Sequence, residues 1–210
     1  MSRPGELPAP AQPLLKARIR HTRMFFFALL PFILFSRGML AEDGAAHALM
    51  GWAGYLMVIV CVLGRGYCSA FIGGRKNDML IAEGPFSLMR NPLYVFSFIG
   101  VMGIGLQSGM ATLALTLSLC FMFYYPKVVA REEAYLLNRF GDVYRDYMRK
   151  TPRWLPQWKN WIEPEYISTQ PRLFRETLRD ASVFFAAFPI FALLGWLHQQ
   201  GIIPVYFLLP

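Results

Sequence analysis

Charge is scarce in this chain. Asp, Glu, Lys and Arg make up 16% of its 210 residues, against roughly a quarter in a soluble domain, and they are kept out of two long stretches. Residues 93–125 form a run of 33 without a full charge, and residues 181–210 form another of 30. A membrane-crossing helix needs about 20 apolar residues, so neither run reads as a soluble core. Cysteine is scarcer still. Cys61, Cys68 and Cys120 make no C-x-x-C pair and fall in or beside apolar segments, which reads as buried thiols rather than a redox or metal centre. His21, His47 and His198 have no ligand spacing, so no metal site is expected. A secretory leader is not expected either. The first apolar stretch begins near Met24 behind a basic, Pro-containing segment with no A-x-A site after it, and is expected to remain as an anchor.

What is abundant is apolar: 55% of the residues are hydrophobic, and 18 are Phe. These observations predict an all-α, multi-pass membrane protein with about five transmembrane helices. Residues 1–23 read as a cytoplasmic tail, disordered or interfacial, and residues 24–210 as one membrane domain. Span one covers 24–41, with Arg37 snorkelling near its far end, and span two covers 46–64. The 33-residue run would reach about 50 Å as one helix, against a hydrocarbon core of about 30 Å. Gln107, Ser108 and Gly109 divide it, giving a hairpin of spans three and four. Span five is expected over about 181–197, with 201–210 as a short interfacial or half-membrane piece.

The basic residues orient these spans. Five lie in the tail, four between spans two and three, and eleven after span four; Arg37 completes the chain's 21. The connections on the other side carry only Glu42 and Asp43 as full charges. The N-terminus and the polar segments are thus expected on the cytoplasmic face, of a bacterial inner membrane or its equivalent. The net charge of +8 then reflects topology and anionic lipid headgroups. Membrane lipids, and no nucleic acid, are the partners it implies.

Three clusters on that face carry possible chemistry. Gly64-Arg65-Gly66-Tyr67-Cys68 closes span two; glycines at a helix end read first as packing or capping residues. In the second cluster Gly84-Pro85 is a turn and Pro92 suits a first helical turn. Asn91 before it is a good N-cap, so span three would present free N–H groups suited to a carboxylate. In the third, Arg131-Glu132-Glu133 lies on a helix over 127–139 ended by Gly141. Glu132, Leu136 and Arg139 share one of its faces, with Tyr135 beside them. A short helix capped by Asp142 turns Tyr144, Tyr147 and Met148 toward the membrane surface, and Trp154, Trp158 and Trp161 read as interfacial anchors. Taken singly, each cluster also fits a capped loop or a salt-bridged juxtamembrane helix.

Together they resemble a family. Gly84-Pro85-Phe86-x-x-x-Arg90-Asn91-Pro92-x-Tyr94, a hairpin, then Arg131-Glu132-Glu133-x-x-Leu136-x-x-x-Phe140-Gly141-x-x-Tyr144-x-x-Tyr147-x-x-x-x-Pro152 is similar to the isoprenylcysteine carboxyl methyltransferase and phospholipid methyltransferase family of integral membrane enzymes. The resemblance covers a core of about 64–156, and the apolar run after 181 is an addition to it. It implies S-adenosyl-L-methionine as cofactor, a lipid-like small-molecule acceptor, and a cytoplasmic pocket built by the loop before span three and the helices after span four. It implies that Leu80, Ile81, Phe86, Arg90, Asn91, Pro92, Leu93 and Tyr94 hold the cofactor, with Glu132 hydrogen-bonded to it. Gly64 and Gly66 match the Gly-x-Gly of the phospholipid branch. Glu133, in support, and Arg131 or Lys127, facing the acceptor, are the catalytic candidates. Isoprenylcysteine enzymes have Arg-His-Pro where this chain has Arg90-Asn91-Pro92, which favours the phospholipid branch and an amine, thiol or small lipid head over a prenylcysteine carboxylate. A sterol-reductase-like NADPH oxidoreductase and a non-catalytic membrane scaffold are the alternative readings.

Overall fold

The computed structural model describes residues 30–40, 44–73, 79–167 and 169–210. The expected tail, the first six residues of span one (24–29) and Glu42 and Asp43 lie outside them. In chain order come β1 (Ser36–Gly38), α1 (Ala45–Ile72), α2 (Pro85–Leu88), α3 (Pro92–Gln107), α4 (Ala111–Phe140) and α5 (Asp142–Lys150). A 3₁₀ turn at Trp158–Asn160 precedes α6 (Pro171–Ser182), a 3₁₀ turn at Val183–Ala186, α7 (Ala187–Gln199) and β2 (Phe207–Leu209).

Three helical stretches are long and apolar enough to cross a membrane: Ala45–Ile72, Ala111–Phe140 and Pro171–Gln199. The fourth apolar helix, α3, has 16 residues and spans only about 24 Å at 1.5 Å per residue. In lipid every backbone group needs a partner within the chain, and uninterrupted helices supply one. This is why α1 does not stop where Gly64, Arg65 and Gly66 suggested. Arg65 donates to the Ser97 hydroxyl on α3, so its charge is accommodated inside the bundle. The two glycines serve as contact points: a Cβ on Gly64 would lie 2.2 Å from the Phe96 ring, and one on Gly66 2.7 Å from Leu178. The helix therefore continues for eight residues beyond Gly64, to Ile72.

The hairpin breaks where expected. The Ser108 hydroxyl donates to the Gly105 carbonyl at 2.6 Å and accepts from the Met110 N–H at 3.2 Å, while Gly109 takes a φ of +70°. The helix begun at Ala111 then runs unbroken through Pro126 and the whole of 127–139 to Phe140. Two ends differ from expectation. Residues 36–38 are a strand, with Arg37 inside it, paired in parallel with 207–209; the last ten residues return to bond with the far end of the anchor segment. The Pro210 carbonyl also accepts from the N–H and hydroxyl of Thr112, at 2.8 and 2.9 Å. The last long helix starts at Pro171, ten residues before the charge-free run, because the polar, amphipathic α6 packs against α1 through Phe174, Leu178 and Ala181.

Val58, Val62 and Ala181 form the bundle core, with Ile104, Leu178, Phe184 and Phe185 packed around it. The backbones of α1 and α3 approach each other closely. A Cβ on Gly54 would lie 2.5 Å from the Gly103 carbonyl oxygen, and one on Gly103 2.6 Å from the Gly54 oxygen. Small residues at such crossings let helices touch without an aqueous driving force. Gly103→Ala should lower stability by about 1–3 kcal/mol, the cost of overpacking. Gly51→Ala, where nothing lies within 4 Å, should be neutral or stabilising. Thermal melting by circular dichroism in detergent distinguishes the two variants.

Candidate functional site

The segment before α3 is held in place by bonds to chain 60 or more residues away. Gly84 has a φ of +55° and sits with its Cα against Phe71, where a Cβ would lie 2.2 Å from the ring; only glycine permits this turn. Its N–H donates to the Ile162 carbonyl at 2.8 Å. The Ser87 hydroxyl donates back to the Gly84 carbonyl at 2.6 Å and accepts from the Ile162 N–H at 3.0 Å. The Arg90 N–H reaches Pro152 O at 2.8 Å, and the Tyr147 hydroxyl reaches Phe86 O at 2.6 Å. α2 and the turn after it are thus clamped beneath α5 and the segment that follows.

Asn91 stands at the N-cap position of α3, but its side chain makes no capping bond. The side-chain amide donates instead to Glu133 Oε1 at 3.2 Å and to Arg153 O at 3.3 Å. The Glu133 carboxylate, 13% exposed, pairs with Arg153 at 2.9 Å and with Arg90 at 3.5 Å. One helical position earlier, Glu132 Oε2 accepts from the Tyr94 hydroxyl at 2.8 Å. The adjacent carboxylates therefore separate in role: Glu133 ties three segments together, and Glu132 lines a cavity.

That cavity, of about 180 Å³, lies where the loop, α4 and α5 meet beside Ile72 at the end of α1. Leu80, Ile81, Phe86, Arg90, Asn91, Pro92, Leu93, Tyr94 and Glu132 all line it. Gly64 and Gly66 do not; they face Phe96 and Leu178. Arg131 and Lys127 are exposed outside it. Further lining residues are Met79, Tyr135, Leu136, Phe140, Tyr144 and Tyr147. The α4 contributors fall at i, i+3, i+4 and i+8 from Glu132, a legible helical face, whereas Arg139 lies over the Phe140 ring.

The two α5 tyrosines are turned inward and buried, 1% and 8% exposed, rather than facing the membrane surface. Tyr147 is held there by a bond to Phe86, 61 residues away, which no local pattern reveals. Asp142 is not the cap of α5; Gly141 holds that position, and Asp142 pairs with Arg145. Burial first, then the Glu133 carboxylate, pushes the Tyr144 hydroxyl up to about 12, with Arg90 opposing. Burial and the neighbouring Tyr144 push Tyr147 up as well. Both hydroxyls stay neutral donors at physiological pH. An acidic hook at Glu132, the Arg90 guanidinium and several aromatic faces suit a cationic ligand that also carries a carboxylate.

Two outcomes test this geometry. Glu133→Gln leaves Arg90 and Arg153 without a counter-charge and should cost about 3 kcal/mol of stability, the lower end of the range for breaking a buried pair, read from unfolding in detergent. Tyr144 gains a proton affinity on folding, so its contribution to stability is complete below pH 10 and is lost as pH rises toward about 12. The melting temperature of Tyr144→Phe should therefore fall less than that of the unmutated protein between pH 10 and pH 12.

Comparison with known proteins follows the same residues. The family model for phospholipid methyltransferases matches 45–143, from the start of α1 into α5. The nickel-cobalt-cadmium resistance protein NccN of Alcaligenes xylosoxydans xylosoxydans is 32% identical over 169 residues, covering 80% of this chain and 79% of that protein. The cobalt-zinc-cadmium resistance protein CzcN of Cupriavidus metallidurans is 29% identical over 150 residues, covering 71% and 69%. A shorter match, 33% over 81 residues, covers 39% of this chain and 34% of the protein-S-isoprenylcysteine O-methyltransferase of Schizosaccharomyces pombe. No solved structure matches at a significant level. With the matched segment containing α1, the clamped loop, the hairpin and the Glu132–Glu133 pair, the chain belongs to the phospholipid and isoprenylcysteine methyltransferase family of membrane proteins.

Proposed function

We propose that this chain transfers a methyl group from S-adenosyl-L-methionine to the nucleophilic head of a lipid-like acceptor at the cytoplasmic membrane face. The observation that carries the reading is the Tyr94–Glu132 hydrogen bond of 2.8 Å, which joins the first turn of α3 to α4 beside the 180 Å³ cavity. When bound, S-adenosyl-L-methionine supplies an already activated methyl on a positively charged sulfur, so the protein's tasks are alignment and exclusion of water.

The residues fit that cofactor. Glu132, oriented by Tyr94, accepts from its hydroxyl or amino groups, and Arg90 meets its carboxylate. Phe86, Tyr94 and Tyr144 offer ring faces to the cation. Leu80, Ile81, Pro92 and Leu93 keep water out. At 180 Å³ the space is below the roughly 300 Å³ of ordinary ligand pockets, so binding displaces the non-helical segment Met79–Ile81 on its border. Glu133 positions Asn91 and Arg90, while the exposed Arg131 and Lys127 meet the acceptor head at the surface. Gly64 and Gly66 serve the site indirectly, by setting how closely α1 approaches α3 and α6. The acceptor's acyl or prenyl tail enters from the bilayer, where burial contributes about 0.8 kcal/mol per CH₂. The family match points to methyl transfer, and a nicotinamide-dependent reductase is not favoured. Two relatives are named for metal resistance. Among the described residues no group of three or more His, Cys, Asp or Glu could hold an ion.

Glu132→Ala should weaken S-adenosyl-L-methionine binding by about 1.5–3 kcal/mol, the scale of a hydrogen bond to a charged group, and Glu163→Ala should not. Calorimetry in nanodiscs measures both; equal effects, or no binding to the unmutated protein, would reject the assignment. Orientation is checked by Asp43→Cys and Asn160→Cys, each in a Cys61→Ala, Cys68→Ala, Cys120→Ala background. An impermeant thiol reagent should reach position 43 from outside and position 160 only from the cytoplasmic side.

A further inference from the structure

The larger cavity of the molecule is elsewhere. It encloses about 440 Å³ and is lined by Ser36, His47, Trp52, Gln107, Phe188 and His198, among others. On α1 its lining residues His47 and Trp52 lie 20 or more positions from Ile72, about 30 Å or more along a helix. On α3 it takes Gln107 at one end where the other site takes Pro92. The two cavities therefore sit at opposite ends of the bundle.

Its polar groups are unanswered. Gln107, 7% exposed, has neither a donor for its Oε1 nor an acceptor for its Nε2 among the described residues, and Ser36 Oγ and His47 Nδ1 are equally without partners. Unmet groups of this kind are rare in folded proteins and call for a water, an ion or a ligand. His198 Nε2 lies 2.8 Å from the Leu34 carbonyl. A carbonyl only accepts, so Nε2 carries the proton, and Nδ1 of the neutral ring is an acceptor. Among the described residues that line it there is no Asp or Glu, and the one full cation, Arg37, is already engaged. Two imidazoles without a carboxylate or thiolate fall short of a metal site. Trp52 and Phe188 are exposed on the outer surface, 67% and 45%, and supply an apolar wall. The volume is that of a ligand pocket.

We propose that this second cavity binds an uncharged amphiphile whose head both donates and accepts hydrogen bonds, a hydroxyl or carboxamide, with its apolar stem along Trp52 and Phe188. The assignment is independent of the methyl-transfer reading.

The test uses the full chain in phosphatidylcholine nanodiscs, titrated separately with 1-decanoylglycerol, with decanoate at pH 8 and with decyltrimethylammonium, and read by tryptophan fluorescence. The expected result is a saturable change with 1-decanoylglycerol at a concentration at least tenfold lower than with either charged probe. Trp52→Phe should remove most of the signal, and Gln107→Leu should weaken binding at least tenfold with unchanged helical circular dichroism. Ser36→Ala, expected to weaken it severalfold, carries the test if Gln107→Leu misfolds. Equal response to all three heads, no saturation, or undiminished binding by the folded variants overturns the proposal. So does a saturable response to nickel or cobalt chloride alone that His47→Ala abolishes.

Discussion

Glu133 sits where three distant stretches of chain meet, and its carboxylate is what keeps them together. It lies on α4, accepts from Asn91 at the head of α3, and pairs with Arg90 from the loop and Arg153 from beyond α5. A carboxylate this buried is tolerable only when its neighbours compensate the lost hydration, and the two guanidiniums are likewise tolerable only because of it. The arrangement holds the head of α3 against α4, where the Tyr94 hydroxyl meets Glu132 at the edge of the cavity. The neighbouring carboxylate is left facing the cavity because successive helical residues point about 100° apart.

The second constraint comes from the bilayer. Apolar solvent makes continuous helices compulsory, and with no hydrophobic drive between them the helices associate by close fit. Gly54 against Gly103 and Gly64 against Phe96 are the contacts through which that fit is achieved. Hydrogen-bonded loops and polar side chains are consequently gathered at the two ends of the bundle. One end carries the ion-paired loop and the smaller cavity, and the other carries the β1–β2 pair and the larger one.

The two ends differ in how their polar groups are satisfied. Around Glu133 the carboxylate is met by Asn91, Arg90 and Arg153 within the chain, which favours a rigid site able to align reactants. Around Gln107 the groups are left open, which favours a site completed by something from outside. Rigidity at one end and incompleteness at the other follow from the same sequence, through the density of charged side chains near each.

The amino-acid sequence by itself determined the helical membrane class, the hairpin broken at Ser108–Gly109, and the lining residues from Leu80 to Tyr94 with Glu132. These depend on composition, on short turns and on periodicity within one helix, all of which are local. It also carried the family, because the Arg90-Asn91-Pro92 and Arg131-Glu132-Glu133 runs are contiguous. Only the tertiary structure decided the rest. Arg65 read as the end of a span until Ser97, 32 residues away, provided a place for its charge within the bundle. Asn91 read as a helix cap, and Glu133 drew its amide away because a charged acceptor binds a donor more strongly than neutral groups do. Tyr144 and Tyr147 read as surface aromatics, but both are buried, and Tyr147 is held inward by the loop carbonyl of Phe86. In each case the deciding partner lies more than 30 residues off in sequence, where local patterns carry no information and the packing of one segment on another settles which polar group meets which.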